Sequence, residues 1–142
     1  PSGHAHGVAL HESFGTIVAQ VAEVSMQDGK PRVHRVICAI DCGTVVNPGT
    51  VAQQVESSVN CALTAALFGQ IEIQDGVVQQ TNFTNYPLVS LAQSPVVETW
   101  IVPSTHSPEG VGEPAVPPLA PAVANAMFKL TGQRVRSLPL KA

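Results

Sequence analysis

Glu113 follows directly on Gly110-Val111-Gly112, and five prolines fence the stretch: Pro108, Pro114, Pro117, Pro118 and Pro121. Glycine lets a backbone approach a ligand closely or take positive φ. Proline fixes φ and removes a donor, so the segment is stiff. A helical pattern begins at once after it, which sets the carboxylate on a rigid, approachable loop near the positive end of a helix. A carboxylate held in this way can act as a general base once a proton lies within hydrogen-bond reach. The same residues also fit a surface loop carrying a solvated glutamate.

Gln54 is a second candidate. It falls on a predicted helix, about 120° from the centre of the apolar stripe at roughly 100° per residue. There it faces either solvent or a ligand beside the core. The histidines are His4, His6, His11, His34 and His106. His4 and His6 supply two ligands at most, which do not make a metal site, so no metal-ligating set is assigned. Cys38, Cys42 and Cys61 are odd in number and contain no Cys-X-X-Cys, so they read as buried free thiols rather than a disulfide framework. No serine lies in a nucleophile-elbow context, and no glycine-rich phosphate loop follows a strand.

The elements that must position these residues can be read in order. Residues 7–24 are rich in Val, Ile and Thr and alternate in part, as a half-buried strand does, with a bend or bulge at Gly15. Asp28-Gly29 marks a hairpin turn, and Pro31 to Ile40 is the return strand. Its alternation puts Val33, Arg35, Ile37 and Ala39 on one face. His34, Val36, Cys38 and Ile40 fall on the other, which is the more apolar. Asn47-Pro48 opens a helix over 48–68 that ends at Gly69. Asp75-Gly76 marks another hairpin, residues 82–94 are irregular, Val96–Val102 is a strand, and Leu119–Leu130 is a second helix capped by Gly132. Arg134–Leu140 has room for a short edge strand. The predicted fold is α+β: a mixed sheet from two hairpins and a further strand, covered by two helices.

The chain has 142 residues, enough for a single domain spanning 1–142. Charged residues make up only 12% of it, about half the ~25% usual in soluble domains. So sparse a surface implies that much of it is normally covered. With a net charge of −3 and no basic run, nucleic acid and anionic membrane are not expected partners. No apolar run approaches the ~20 residues of a membrane-spanning helix. Pro1 at the start, with no signal-peptide pattern after it, reads as a cut terminus.

The order of these motifs resembles the C-terminal part of the molybdenum-binding subunit of the xanthine oxidase/aldehyde oxidoreductase family. The likeness is greatest to the branch of the isoquinoline 1-oxidoreductase β subunits. It is carried by Gly7–Val24, Ile40-Asp-Cys-Gly43, Val46-Asn-Pro48, Gln54-Val-Glu56, Asn82-Phe83, Tyr86-Pro87, Gly110–Pro114 and Pro117–Ala126, nearly the whole chain. Two departures stand out. Ser57-Ser58 replace the Gly-Gly or Gly-Ala that usually follows Gln-X-Glu, and Gly3-His-Ala-His-Gly7 has His where relatives often carry Arg.

The resemblance implies a hydroxylase that places water-derived oxygen on an aldehyde or an aromatic N-heterocycle. It implies a molybdopterin cofactor, in the cytosine dinucleotide form usual in bacteria, and iron–sulfur clusters on a small partner subunit. Glu113 corresponds to the family's general base and Gln54 to a pterin contact, while Gly112 leaves room for the metal centre. The chain would be the C-terminal molybdopterin-binding portion of a larger subunit. The remainder of that subunit would supply most cofactor contacts, so the isolated chain is expected to be inactive. Compartment stays open between cytoplasm and periplasm, since any export signal would lie upstream. The rival reading is a non-catalytic binding or assembly module that kept the fold.

Overall fold

The structure, a computed structural model, describes residues 2–141. Three long strands come first: β1 (His4–Ser13), β2 (Thr16–Gln27) and β3 (Lys30–Asp41). Helix α1 (Pro48–Phe68), short strands β4 (Ile73–Gln74) and β5 (Val77–Val78), strand β6 (Val96–Ile101) and helix α2 (Leu119–Thr131) follow. One sheet has the order β1-β2-β3-β6, antiparallel through the first three, with β6 parallel to β3. The predicted α+β class, a mixed sheet under two helices, is what forms.

Two-residue turns join the first strands. Phe14 and Gly15 both have positive φ, 55° and 76°, and Asp28 and Gly29 repeat this at 51° and 73°. Paired positive φ values match the twist of the flanking strands. Asp-Gly announces such a turn whereas Phe-Gly does not, so the sequence predicts only a bend at Gly15 where the structure has a full hairpin.

The predicted faces of β3 hold only in part. Glu23 pairs with Arg35 and Val24 with Val33, which leaves His34 as the extra residue of a bulge. A bulge of one residue reverses the alternation beyond it. Val33 therefore joins Val36, Cys38 and Ile40 on the buried face, not Ile37 and Ala39.

That face is covered by both helices. α2 crosses β1 and β2, and α1 lies beside it over β6. Gly7 allows the first contact: a Cβ there would stand 1.9 Å from the Ala122 carbonyl oxygen of α2. Asn47 caps α1, its Oδ1 accepting from the Thr50 amide at 3.2 Å. The α1 stripe buries Val51, Val55, Val59, Ala62, Leu63 and Ala66. Each fully buried Val or Leu side chain contributes about 1.5–3 kcal/mol. Cys61 points away from the stripe and is exposed, so only Cys38 and Cys42 are the buried thiols expected.

Among the described residues nothing forms a covering layer on the opposite face of the sheet. Val8, Leu10, Ile17, Val96 and Trp100 are exposed there, Leu10 at 66% and Trp100 at 64%. The Asp75-Gly76 hairpin forms, but β4 and β5 pair only with each other. The tail forms no strand. Instead Leu140 is buried, and its amide donates to the Ala66 carbonyl at 2.7 Å. Among the described residues no helix is long and apolar enough to cross a membrane.

Candidate functional site

The loop bearing Glu113 leaves β6 and folds back over the turn after β3. The Thr44 amide and hydroxyl both donate to the His106 carbonyl at 2.9 Å. The Glu109 amide donates to the Cys42 carbonyl at 2.9 Å. His106 Nε2 lies 3.2 Å from Asp41 Oδ1. A hydrogen bond from the Gly43 amide, helped by Ser104 and His106, holds the Asp41 carboxyl below its usual range. Gly43 has φ 74°, and a Cβ on it would lie 2.1 Å from the Ser107 carbonyl oxygen. The Asp-Cys-Gly segment is thus a seat for residues 104–109.

The next residues are held by their carbonyls. Thr16 Oγ1 donates to Gly110 O at 2.7 Å, Ser58 Oγ to Gly112 O at 3.1 Å, and Gln20 Nε2 to Ala115 O at 2.8 Å. The Val116 amide closes a turn on the Glu113 carbonyl at 2.9 Å, with Pro114 at its second position. Pro114 and Ala115 are buried, whereas the Glu113 side chain is exposed. A backbone anchored on both sides therefore presents a free carboxylate. Among the described residues the ion pairs are His4–Glu23, Arg35–Glu98 and His106–Asp41, and Glu113 is in none of them.

Neither Gly110 nor Gly112 has positive φ, so left-handed backbone is not why glycine stands there. Among the described residues nothing beyond its own chain neighbours lies within 4 Å of where a Cβ on Gly112 would be, so the chain just before Glu113 is open to close approach. Gln54 is half-buried and precedes Ser58 by one turn of α1, about 6 Å along the axis. Because Ser58 touches Gly112, α1 brings Gln54 to the same end of the molecule as the Glu113 loop. Glu113 and Gly112 are joined to α1 through Ser58, and Gln54 lies one turn before that contact on the same helix. No cluster of three metal-ligating side chains occurs among the described residues. α2 starts at Leu119, beyond the turn, so Glu113 does not sit at its first residue.

Thr16, Gln20 and Ser58 do not stand out as site residues in the sequence. The signal that marks them is position. Thr16 and Gln20 share the apolar face of β2 with Val18 and Ala22, and Ser58 falls inside the α1 stripe. A polar side chain in such a place needs a partner.

The architecture is shared with quinoline 2-oxidoreductase from Pseudomonas putida 86, which superposes with a TM-score of 0.74 at 22% identity over 87% of this chain and 17% of that one. Residues 4–95 match the molybdopterin cofactor-binding domain. The chain belongs to that family, among the molybdenum-binding subunits of the xanthine oxidase family. It is 34% identical to the β subunit of isoquinoline 1-oxidoreductase from Brevundimonas diminuta over 98% of its own length. It is 32% identical to a subunit of nicotinate dehydrogenase from Pseudomonas putida over 99%. It spans 18% and 12% of the lengths of those two relatives.

Proposed function

We propose that this chain is the C-terminal molybdopterin-binding portion of a larger molybdenum hydroxylase subunit, with Glu113 as its general base. The observation that carries the reading is the free carboxylate of Glu113 on a backbone fixed on either side and open at Gly112. The residues present fit a pterin cofactor. The Gln54 carboxamide offers both a donor and an acceptor to a heterocycle edge, and Gly112 leaves the approach to Glu113 unobstructed. When bound, a molybdopterin cofactor, here in its cytosine dinucleotide form, supplies two-electron oxidation and activates water-derived oxygen for transfer to carbon.

The chain's own residues have simpler tasks. Gln54 holds the pterin by a hydrogen bond. Gly112 keeps the space before the carboxylate clear. Glu113 takes a proton from the attacking oxygen onto a carboxylate Oε, a role worth typically ~10²–10⁴-fold in rate. Iron–sulfur clusters on a small partner subunit would accept the two electrons released. The open apolar face of the sheet docks the remainder of the molybdenum subunit. The substrate is an aldehyde or an aromatic N-heterocycle, and two relatives named for isoquinoline and nicotinate favour the heterocycle. The test is the complete subunit purified with its partner and supplied with ¹⁸O-labelled water. Molybdenum and pterin in equal amounts, with label in the hydroxylated product, are expected. Absence of both molybdenum and label contradicts the reading.

A further inference from the structure

Four polar side chains are buried among the described residues: Thr16, Gln20, Ser25 and Ser58. Ser25 pairs with His34 at 2.8 Å. The other three come from the start of β2, the middle of β2 and the middle of α1. All of them end on carbonyls between Gly110 and Ala115. The Gly110 and Gly112 carbonyls do not need these partners for stability. Gly110 and Gly112 are exposed residues whose carbonyls water can satisfy. Gln20 is wholly buried although its Oε1 finds no partner. An unpaired buried acceptor is destabilising, and Gln20 stands there with only its amide nitrogen engaged, on the buried Ala115 carbonyl.

We infer that Thr16, Gln20 and Ser58 are positioning residues that aim the Glu113 carboxylate, and that Ser58 also sets its distance from the cofactor. Ser58 holds the carbonyl of the residue immediately before Glu113 and stands one turn from Gln54 on the same helix. α1 therefore acts as a ruler between the residue that holds the pterin and the residue that moves the proton. Thr16 and Gln20 fix the two flanks of the loop from the sheet, so that it cannot pivot about the Ser58 contact. The inference rests on the reading of Glu113 as base.

The experiment uses the complete enzyme with its cofactor and compares Ser58→Ala and Thr16→Val, with Thr16→Ser as the variant that keeps the hydroxyl. Ser58→Ala and Thr16→Val are expected to keep the molybdenum and lower kcat about 10- to 100-fold with little change in KM, as a misplaced catalytic group does. Thr16→Ser is expected to restore the rate. Hydrogen exchange of the amides in residues 109–116 is expected to quicken in both hydroxyl-deleted variants, while β2 and β3 stay protected. In a Glu113→Gln background Ser58→Ala is expected to lower the residual rate no further, since there is no base left to aim. Wild-type kcat and wild-type exchange of 109–116 in both hydroxyl-deleted variants overturn the inference even where Glu113→Gln is inactive. A fully active Glu113→Gln instead overturns the reading on which it rests.

Discussion

At the scale of single residues, the proposed role of Gln54 as a pterin contact separates cofactor retention from chemistry. Gln54 is half-buried on α1, one turn before the Ser58 that holds the Gly112 carbonyl. Gln54→Ala in the complete enzyme removes one hydrogen bond, worth about 0.5–1.5 kcal/mol, so the cofactor is held roughly 2- to 10-fold more weakly. Molybdenum per subunit after extended dialysis should fall, while turnover per remaining molybdenum is kept. Full molybdenum content would assign Gln54 to solvent. The cysteines give a second check. Burial pushes the Cys38 thiol up to about 11 from a usual value of 9.0, and raises Cys42 as well, whereas Cys61 is exposed. Alkylation at pH 8 should label Cys61 alone in the native chain. A thiol pKa raised by folding favours the protonated folded state. Its stabilisation is complete below pH 9 and is lost as pH rises towards 11, on the order of 2–3 kcal/mol. Denaturant midpoints measured across that range should fall, and Cys38→Ala should flatten the dependence.

At the scale of elements, the docking of α2 on β1 hangs on Gly7. A Cβ at that position would lie 1.9 Å from Ala122 O and 2.4 Å from Ala126 N, both backbone atoms that cannot swing aside. Gly7→Ala should cost about 3 kcal/mol or more, read as a drop in unfolding midpoint. Gly29→Ala is a control at an exposed turn, where nothing lies within 4 Å and only the positive φ is strained.

The elements differ in how far the sequence announced them. α1 was legible because Asn47-Pro48 marks its start and valines recur along one face. The Asp-Gly turns were legible because the residue pair itself favours the backbone they need. The hairpin at Phe14-Gly15 was hidden because its first residue is an unusual one for positive φ. The His34 bulge was hidden because pairing across strands, not alternation along one of them, decides where a residue is left over. Glu113, Gln54 and Gly112 were legible as local motifs. Thr16, Gln20 and Ser58 were not, since each acts on a loop 54 to 95 residues away in sequence.

At the scale of the whole molecule, the uncovered sheet face and the low charge content belong together. Charged residues are 12% of the chain, and five large apolar side chains stand exposed on one side of the sheet. A patch of that kind marks an interaction surface. The isolated chain should fold but self-associate, and Leu10→Glu with Trp100→Glu should restore a monomer in sedimentation at high concentration. A clean wild-type monomer would remove this face as the docking surface for the rest of the subunit. The isolated chain should also turn over no aldehyde or heterocycle, since on the proposed reading it carries only one pterin contact and one base of a larger site.

Whether Glu113 is the base is decided by Glu113→Gln in the complete enzyme. The amide is nearly isosteric and the turn is held through backbone groups, so the fold and the molybdenum content should be unchanged. It cannot take up the proton at working pH, so turnover should drop by at least about 10²-fold, in kcat more than in KM. A variant that keeps its molybdenum and turns over near the wild-type rate would contradict the account and leave a binding module in place of a catalytic one.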